Sequence, residues 1–266
     1  MQQNGKYALV TGATSGIGYE LSKLFAQDGY NLVIVARTES NLDSTANELK
    51  KHNVEVIQLS KDLFKREAAF ELYNEVKAKG IEIDVLVNNA GQGEYGEFVD
   101  TDIDRELDII QLNIGAVIIL TKHFLKDMVA RGSGKILNVT SIAGKTPGPY
   151  HSVYHGTKAF AHSFTEAIRS EVKDRGITVT SLLPGITDTD FFNKADMLDS
   201  KAVQEEKMAD PADVAKDGFE ALMSGKDMVV SGLKNKMQVA MGSVIPDSII
   251  ADKTKNQQQP VDHDKK

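Results

Sequence analysis

Six short apolar runs punctuate the chain: YALVT at 7–11, NLVIVA at 31–36, VEVIQL at 54–59, DVLVN at 84–88, GKILNVT at 134–140 and ITVTSLL at 177–183. Their hydrophobicity is continuous rather than alternating, the pattern of strands buried on both faces of a parallel sheet. Longer segments of helical period lie between them. In YELSKLFAQDG, Leu21, Leu24 and Phe25 share one face and Gly29 is placed to end the helix. Strand and helix alternating this often predict an α/β fold built on a doubly wound parallel sheet, with DMVVSG at 227–232 as a short seventh strand. No Pro/Ser-rich linker divides the sequence, so one domain is expected over 1–251. The polar stretch DKTKNQQQPVDHDKK at 252–266 reads as a disordered tail.

Composition narrows the chemistry. The 266 residues carry a formal net charge of −7, with no run of lysines or arginines that would follow a phosphate backbone, so nucleic acid is not an expected partner. There is no cysteine, which removes disulfides, thiolate metal sites and a cysteine nucleophile together, and no metal is expected. The opening MQQNGKYALVTG enters an apolar strand at once, leaving no room for a secretory leader. The longest apolar stretch, LNIGAVIILT at 112–121, is too short to span a bilayer and reads as a buried helix. These features predict a soluble cytoplasmic protein with no membrane partner.

Directly after the first strand comes TGATSGIG, with Gly12, Gly16 and Gly18 ahead of a helical pattern. Glycines at a strand-to-helix turn let the backbone approach a pyrophosphate closely, and the helix N-terminus offers free N–H groups and a positive dipole end. The turn lacks the Gly-Lys-Ser/Thr ending of a nucleoside-triphosphate loop, which argues against a kinase or ATPase. About twenty residues on, at the end of the second strand, a carboxylate would hold the ribose hydroxyls of NAD. The sequence there is VARTES: Ala36 stands where that carboxylate is expected and Arg37 follows. A guanidinium suits a 2′-phosphate, so NADP(H) is favoured over NAD(H), unless Arg37 is only a solvated charge after a strand.

The stretch PGPYHSVYHGTK at 147–158 places Tyr154 and Lys158 four residues apart, on one face of a helix at neighbouring heights. Alone, that spacing is equally a solvated helix face. Together with TGATSGIG, KDL at 61–63, NNAG at 88–91, Asn113, Ser141 and PGITDT at 184–189, it resembles the short-chain dehydrogenase/reductase family from about residue 6 to 232. The resemblance implies a Rossmann-type sheet of about seven strands and a catalytic tetrad of Asn113, Ser141, Tyr154 and Lys158. It further implies cofactor contacts from Gly12, Thr14, Ser15, Gly16, Ile17 and Gly18, with Asp62 and Leu63 at the adenine. Asn89, Ala90 and Gly91 would pack against the adenosine ribose, and Pro184, Gly185, Thr187 and Thr189 would wrap the nicotinamide. A homodimer or homotetramer acting on a small carbonyl or alcohol is implied as well.

The chemistry is consistent with that resemblance. Reducing a carbonyl needs hydride on carbon and a proton on oxygen, hence a general acid beside a nicotinamide. Lys158, one turn from Tyr154, together with the cationic oxidised nicotinamide in the alcohol-oxidising direction, is expected to stabilise the phenolate and lower its pKa, and Lys158 to hold the ribose hydroxyls. Ser141 follows the fifth strand, where its hydroxyl would polarise the substrate oxygen. The resemblance gives Asn113 a water relayed through Lys158; a buried asparagine satisfying backbone groups is an equally physical role. His151 and His155 flank Tyr154 without an orienting carboxylate, so neither is assigned proton transfer, and His151 is placed with Tyr150 on the substrate rim. The predicted reaction interconverts a carbonyl and an alcohol with NADP(H). A 3-oxoacyl thioester reductase of fatty-acid type and a non-catalytic NADP(H)-binding sensor are the alternatives. The apolar residues Met237, Val239, Met241, Val244 and Ile245 weigh towards a broad carbonyl reductase. Residues 187–208, rich in charge yet holding Phe191, Phe192, Met197 and Leu198, are expected to form a lid over the site.

Overall fold

The computed structural model describes residues 5–242 and 245–261. Seven parallel strands form one sheet in the order β3-β2-β1-β4-β5-β6-β7. They are β1 (Tyr7–Thr11), β2 (Asn31–Ala36), β3 (Val56–Ser60), β4 (Ile83–Asn88), β5 (Gly134–Val139), β6 (Ile177–Leu183) and β7 (Met228–Val230). Helices α1 (Gly16–Gln27), α2 (Glu39–Leu49) and α3 (Arg66–Ala78) follow the first three strands. After β4 come α4 (Ile103–Ile110), a π-type turn at Gln111–Gly115 and α5 (Ala116–Arg131), and after β5 comes α6 (Ser152–Val172). The chain ends through α7 (Phe191–Lys194), α8 (Lys201–Glu205), α9 (Pro211–Met223), α10 (Leu233–Gly242) and α11 (Asp247–Gln258).

The continuous hydrophobicity of the strands is explained by burial on two sides. In β1, Ala8 and Val10 join the layer of α1, α2 and α9, where Leu21, Phe25, Leu42, Leu49, Val214 and Leu222 are buried. The intervening Leu9 joins the opposite layer with Leu72 of α3, Leu120, Phe124 and Met128 of α5 and Ile168 of α6. Register is set accordingly, with Leu9 opposite Val33 of β2 and Leu86 of β4. The strand order reverses between β1 and β4, and the crevice outside the carboxyl ends at that reversal is where a doubly wound sheet binds ligands.

Two expectations change. The apolar stretch 112–121 belongs to a helical run of 29 residues, 103–131, which is long and apolar enough by length and composition to cross a bilayer. Here it serves as a core helix, with Leu112, Ala116, Leu120, Phe124 and Met128 buried on the sheet. The disordered tail expected at 252–266 is helical from 252 to 258 as the end of α11, while 262–266 lie outside the described residues. Polarity did not prevent order because the segment seats on polar partners: Lys201 N donates to the Gln259 carbonyl at 3.1 Å and Val261 N to the Asp199 carbonyl at 2.9 Å. Over 187–208, the apolar residues form a small core of their own from Phe192, Ala195, Met197, Ala202 and Val203.

Candidate active site

The β1–α1 turn is shaped by close backbone approach. Gly12 adopts φ 65° and donates its N–H to the Val35 carbonyl at 2.8 Å. A Cβ on Gly18 would stand 2.1 Å from the Gly12 carbonyl oxygen, so that position admits no side chain. Ser15 precedes α1 in extended conformation and no side chain caps the helix, leaving the first N–H groups as donors at the cleft wall. Gly12, Thr14, Ser15, Gly16 and Ile17 line the cleft, as expected. Gly18 does not line it and acts through packing.

Asn89 ties the phosphate turn to the next loop. Its Nδ2 donates to the carbonyls of Thr11 at 2.9 Å and Gly12 at 3.1 Å. Its N–H and that of Ala90 donate to Thr11 Oγ1 at 3.0 and 3.1 Å. The loop after β4 is thereby stitched to the phosphate turn, and Asn89, Ala90 and Gly91 present their backbone to the cleft.

At the far end, Arg37 follows β2 and its guanidinium lies 5.1 Å from the centroid of the Phe64 ring. Arg105 of α4 approaches the same ring at 5.2 Å. Arg37 is exposed and enters no salt bridge among the described residues, and Thr38, Asn41, Lys61 and Leu63 line the cleft beside it. Asp62 stands just outside the cleft lining, and its Oδ1 accepts from Phe64 N at 3.4 Å.

The catalytic candidates meet where β5 and α6 face the β4 loop. Ser141, Tyr154 and Lys158 all line the cleft and are joined there by Pro184, Gly185, Thr187 and Thr189. Lys158 is buried, donates to the Val139 carbonyl at 3.0 Å and sits 5.7 Å from the centre of the Tyr154 ring. A Cβ on Gly91 would come within 3.2 Å of Lys158 Nζ and 3.3 Å of Asn113 Oδ1, so glycine lets three elements converge. Burial lowers Lys158 to about 8. Burial pushes Tyr154 up to about 12, opposed by a hydrogen bond with Ser141. Without a nicotinamide beside it, the chain's own residues hold Tyr154 protonated, which suits proton donation.

Asn113 is held firmly in place. It lies in the π-type turn, with both amide hydrogens engaged, to the Gln92 carbonyl at 2.8 Å and Thr157 Oγ1 at 2.9 Å. Its Oδ1 accepts from Gln92 N at 3.1 Å. The side chain braces the β4 loop against α6, the structural role that the sequence left open beside the relay.

His151, placed on the substrate rim by its sequence position, lines the cleft while itself buried, and it stacks on Tyr154 at 4.4 Å between ring centroids and 14° between planes. Burial, then His155, lowers it to about 3, so it covers the phenol as a neutral apolar plate. Phe191 approaches the other side of the site, 5.0 Å from the Tyr154 ring. The cleft residues Phe64, Gln257 and Gln258 carried no signal in the sequence.

Comparison with known proteins agrees with this geometry. The profile described as short chain dehydrogenase matches residues 6–198. A very-long-chain 3-oxoacyl-CoA reductase of Laccaria bicolor is 40% identical over 68% of this chain and 54% of its own length. Its counterpart in Anas platyrhynchos is 37% identical over 68% and 59%. The chain thus spans a little over half the length of these relatives. An uncharacterized oxidoreductase of Staphylococcus aureus is 30% identical over 85% of this chain and 94% of its own. Among solved structures, a short-chain dehydrogenase from Sphingobium yanoikuyae in complex with NADPH superposes with a TM-score of 0.80 at 26% identity, over 91% of this chain and 96% of that one. The profile takes in both walls of the cleft, from the phosphate turn to the Tyr154 helix, and on that match the chain belongs to the short-chain dehydrogenase family.

Proposed function

We propose that the protein is an NADP(H)-dependent reductase that interconverts a ketone or aldehyde with its alcohol. The observation that carries the reading is the meeting of Tyr154 with the buried Ser141 and Lys158 on a cleft that continues to the guanidinium of Arg37, which enters no salt bridge among the described residues. The residues fit a dinucleotide: a glycine turn no Cβ could occupy, an uncapped helix start, and a cation beyond them. When bound, the nicotinamide supplies the hydride for the carbonyl carbon. Ser141 Oγ hydrogen-bonds the carbonyl oxygen and polarises it. Tyr154 Oη releases its proton to that oxygen as negative charge develops there, completing the alcohol. His151 and Phe191 keep water off the phenol, and Lys158 holds the ribose and replaces charge beside the phenolate left behind. The test is NADPH consumption with a panel of aldehydes and ketones, with NADH in parallel; no oxidation of NADPH with any carbonyl would overturn the reading in favour of a binding protein.

Cofactor choice rests on Arg37. Losing a charge-assisted contact to a 2′-phosphate costs roughly 1.5–3 kcal/mol. Arg37→Ala is therefore expected to raise KM for NADPH about tenfold or more and to leave NADH little changed. Equal effects on both cofactors would show that Arg37 does not read the phosphate.

Lys158, lowered to about 8, is charged below that pH and neutral above it. NADPH affinity, measured from cofactor fluorescence, is expected to weaken as pH rises from 7 through 9. Lys158→Arg, which keeps its charge, flattens that dependence. A flat profile in the unaltered protein would remove Lys158 from cofactor binding.

A second reading is supported by the names of the relatives: reduction of a 3-oxoacyl thioester uses the same proton and hydride and differs only in what fills the substrate end. In either reading the enzyme works in the cytoplasm, with residues 187–208 as the lid of the site. It works as a homodimer or homotetramer, for which α4 offers an exposed stripe of Ile103, Leu107 and Ile110 at helical spacing beside Phe160 of α6.

A further inference from the structure

The end of α11 is fastened across the substrate end of the cleft by polar ties to three separate walls. Tyr95, on the loop after β4, donates its hydroxyl to the Gln258 carbonyl. The Gln258 side-chain nitrogen meets His155 Nε2 at 3.2 Å, one residue beyond the catalytic tyrosine. His155 is itself fixed, its Nδ1 bonded to the Thr146 carbonyl at 2.8 Å. The turn ahead of α8 is joined through Lys201 N to the Gln259 carbonyl and through Val261 N to the Asp199 carbonyl. Thr254, Gln257 and Gln258 line the cleft. Gln258 is 9% exposed and its Oε1 is buried without a protein partner. A buried amide is a poor neighbour for an alkyl chain, and a chain that displaced it would strand the Tyr95 hydroxyl and His155 Nε2 as well.

We infer that Gln258 and its clasp select substrates by length. A compact carbonyl is enclosed between the clasp and Phe191, whereas a long acyl chain reaches Tyr154 only when residues 258–261 leave their seat. The inference rests on the carbonyl-reductase reading of the site and deepens it, because it separates short substrates from the very long chains named in the relatives. Gln258 is a specificity-determining residue, and Tyr95 positions it.

The test compares the unaltered protein with Tyr95→Phe and with a chain ended after Gln257, using NADPH and methyl ketones of increasing length. In both variants the ratio of kcat/KM for long over short ketones is expected to rise about tenfold or more. Binding of cis-parinaric acid, a long-chain fluorescent fatty acid, is measured on the same three proteins and is expected to tighten about tenfold in the variants. An unchanged ratio together with unchanged parinaric acid affinity overturns the clasp. If none of the three proteins reduces any ketone, the reaction assignment fails, and parinaric acid binding then decides the clasp by itself.

Discussion

Replacing Tyr154 by phenylalanine is expected to lower kcat for carbonyl reduction by about 10³-fold and to leave NADPH affinity nearly unchanged. The substitution removes one oxygen and keeps the ring. His151 stacked at 4.4 Å and the Lys158 ammonium 5.7 Å from the ring centre therefore retain their partner. No substitute donor is in place. His151 is lowered to about 3 and carries no spare proton near neutrality, and the second acid of the site, Lys158, gives its Nζ to the Val139 carbonyl. Ser141 remains to hold the carbonyl oxygen but is far too weak an acid to finish the reaction. The direction of reaction sharpens the test. With burial pushing the phenol up to about 12, reduction has its proton ready at neutral pH, while alcohol oxidation must first remove it. Oxidation by the unaltered protein is expected to climb with pH more steeply than reduction, a contrast that Tyr154→Phe abolishes. Reduction surviving above a few per cent of the original kcat would take the acid role away from Tyr154.

Much of this site was written locally, and those parts were legible. Strands at 7–11, 31–36 and 177–183 fall where continuous apolar runs put them, because a doubly covered strand has no polar face to blur its ends. The glycine turn and the Tyr154–Lys158 pair each occupy a few consecutive residues, so their spacing is visible before the chain folds. What stayed hidden depends on partners far along the chain. Gln258 meets His155 across 103 residues and Tyr95 across 163, and no composition of 252–266 announces a seat for it. Asn113 was visible as a residue type, but its bonds to Gln92 and Thr157 join residues that only the fold brings together. The setting of the phenol is hidden for a related cause. A lysine one turn away is visible in sequence, whereas the burial that raises the phenol is not.

Gly144→Ala is expected to damage the site without touching a reacting group. Gly144 sits in the 3-10 turn Ile142–Lys145, whose preceding residue is Ser141, and that turn packs directly on α6. A Cβ there would lie 2.6 Å from both the carbonyl carbon and the oxygen of Lys158 and 2.9 Å from Ala159 N. These are backbone atoms inside a 21-residue helix, so neither side yields by turning a side chain. Relief comes only by pushing the turn away from α6. That motion draws Ser141 off Tyr154 and stretches the 2.8 Å contact between Thr146 and His155. Overpacking of this kind costs roughly 1–3 kcal/mol of stability. Misplacing a catalytic hydroxyl by about 1 Å costs on the order of 10²-fold in rate. The expected result is a lower Tm and a kcat/KM reduced about a hundredfold, with NADPH affinity much less affected, since the phosphate turn and Arg37 lie elsewhere in the cleft. Gly156 supplies the contrast. It is two residues past Tyr154 on the exposed side of α6, and a Cβ there meets nothing within 4 Å. Gly156→Ala is expected to raise stability by about 0.5–1 kcal/mol through helix propensity alone. A Gly144→Ala protein with unaltered Tm and kcat/KM would show that the turn and α6 can separate freely, and that Ser141 is not held to Tyr154 by their contact.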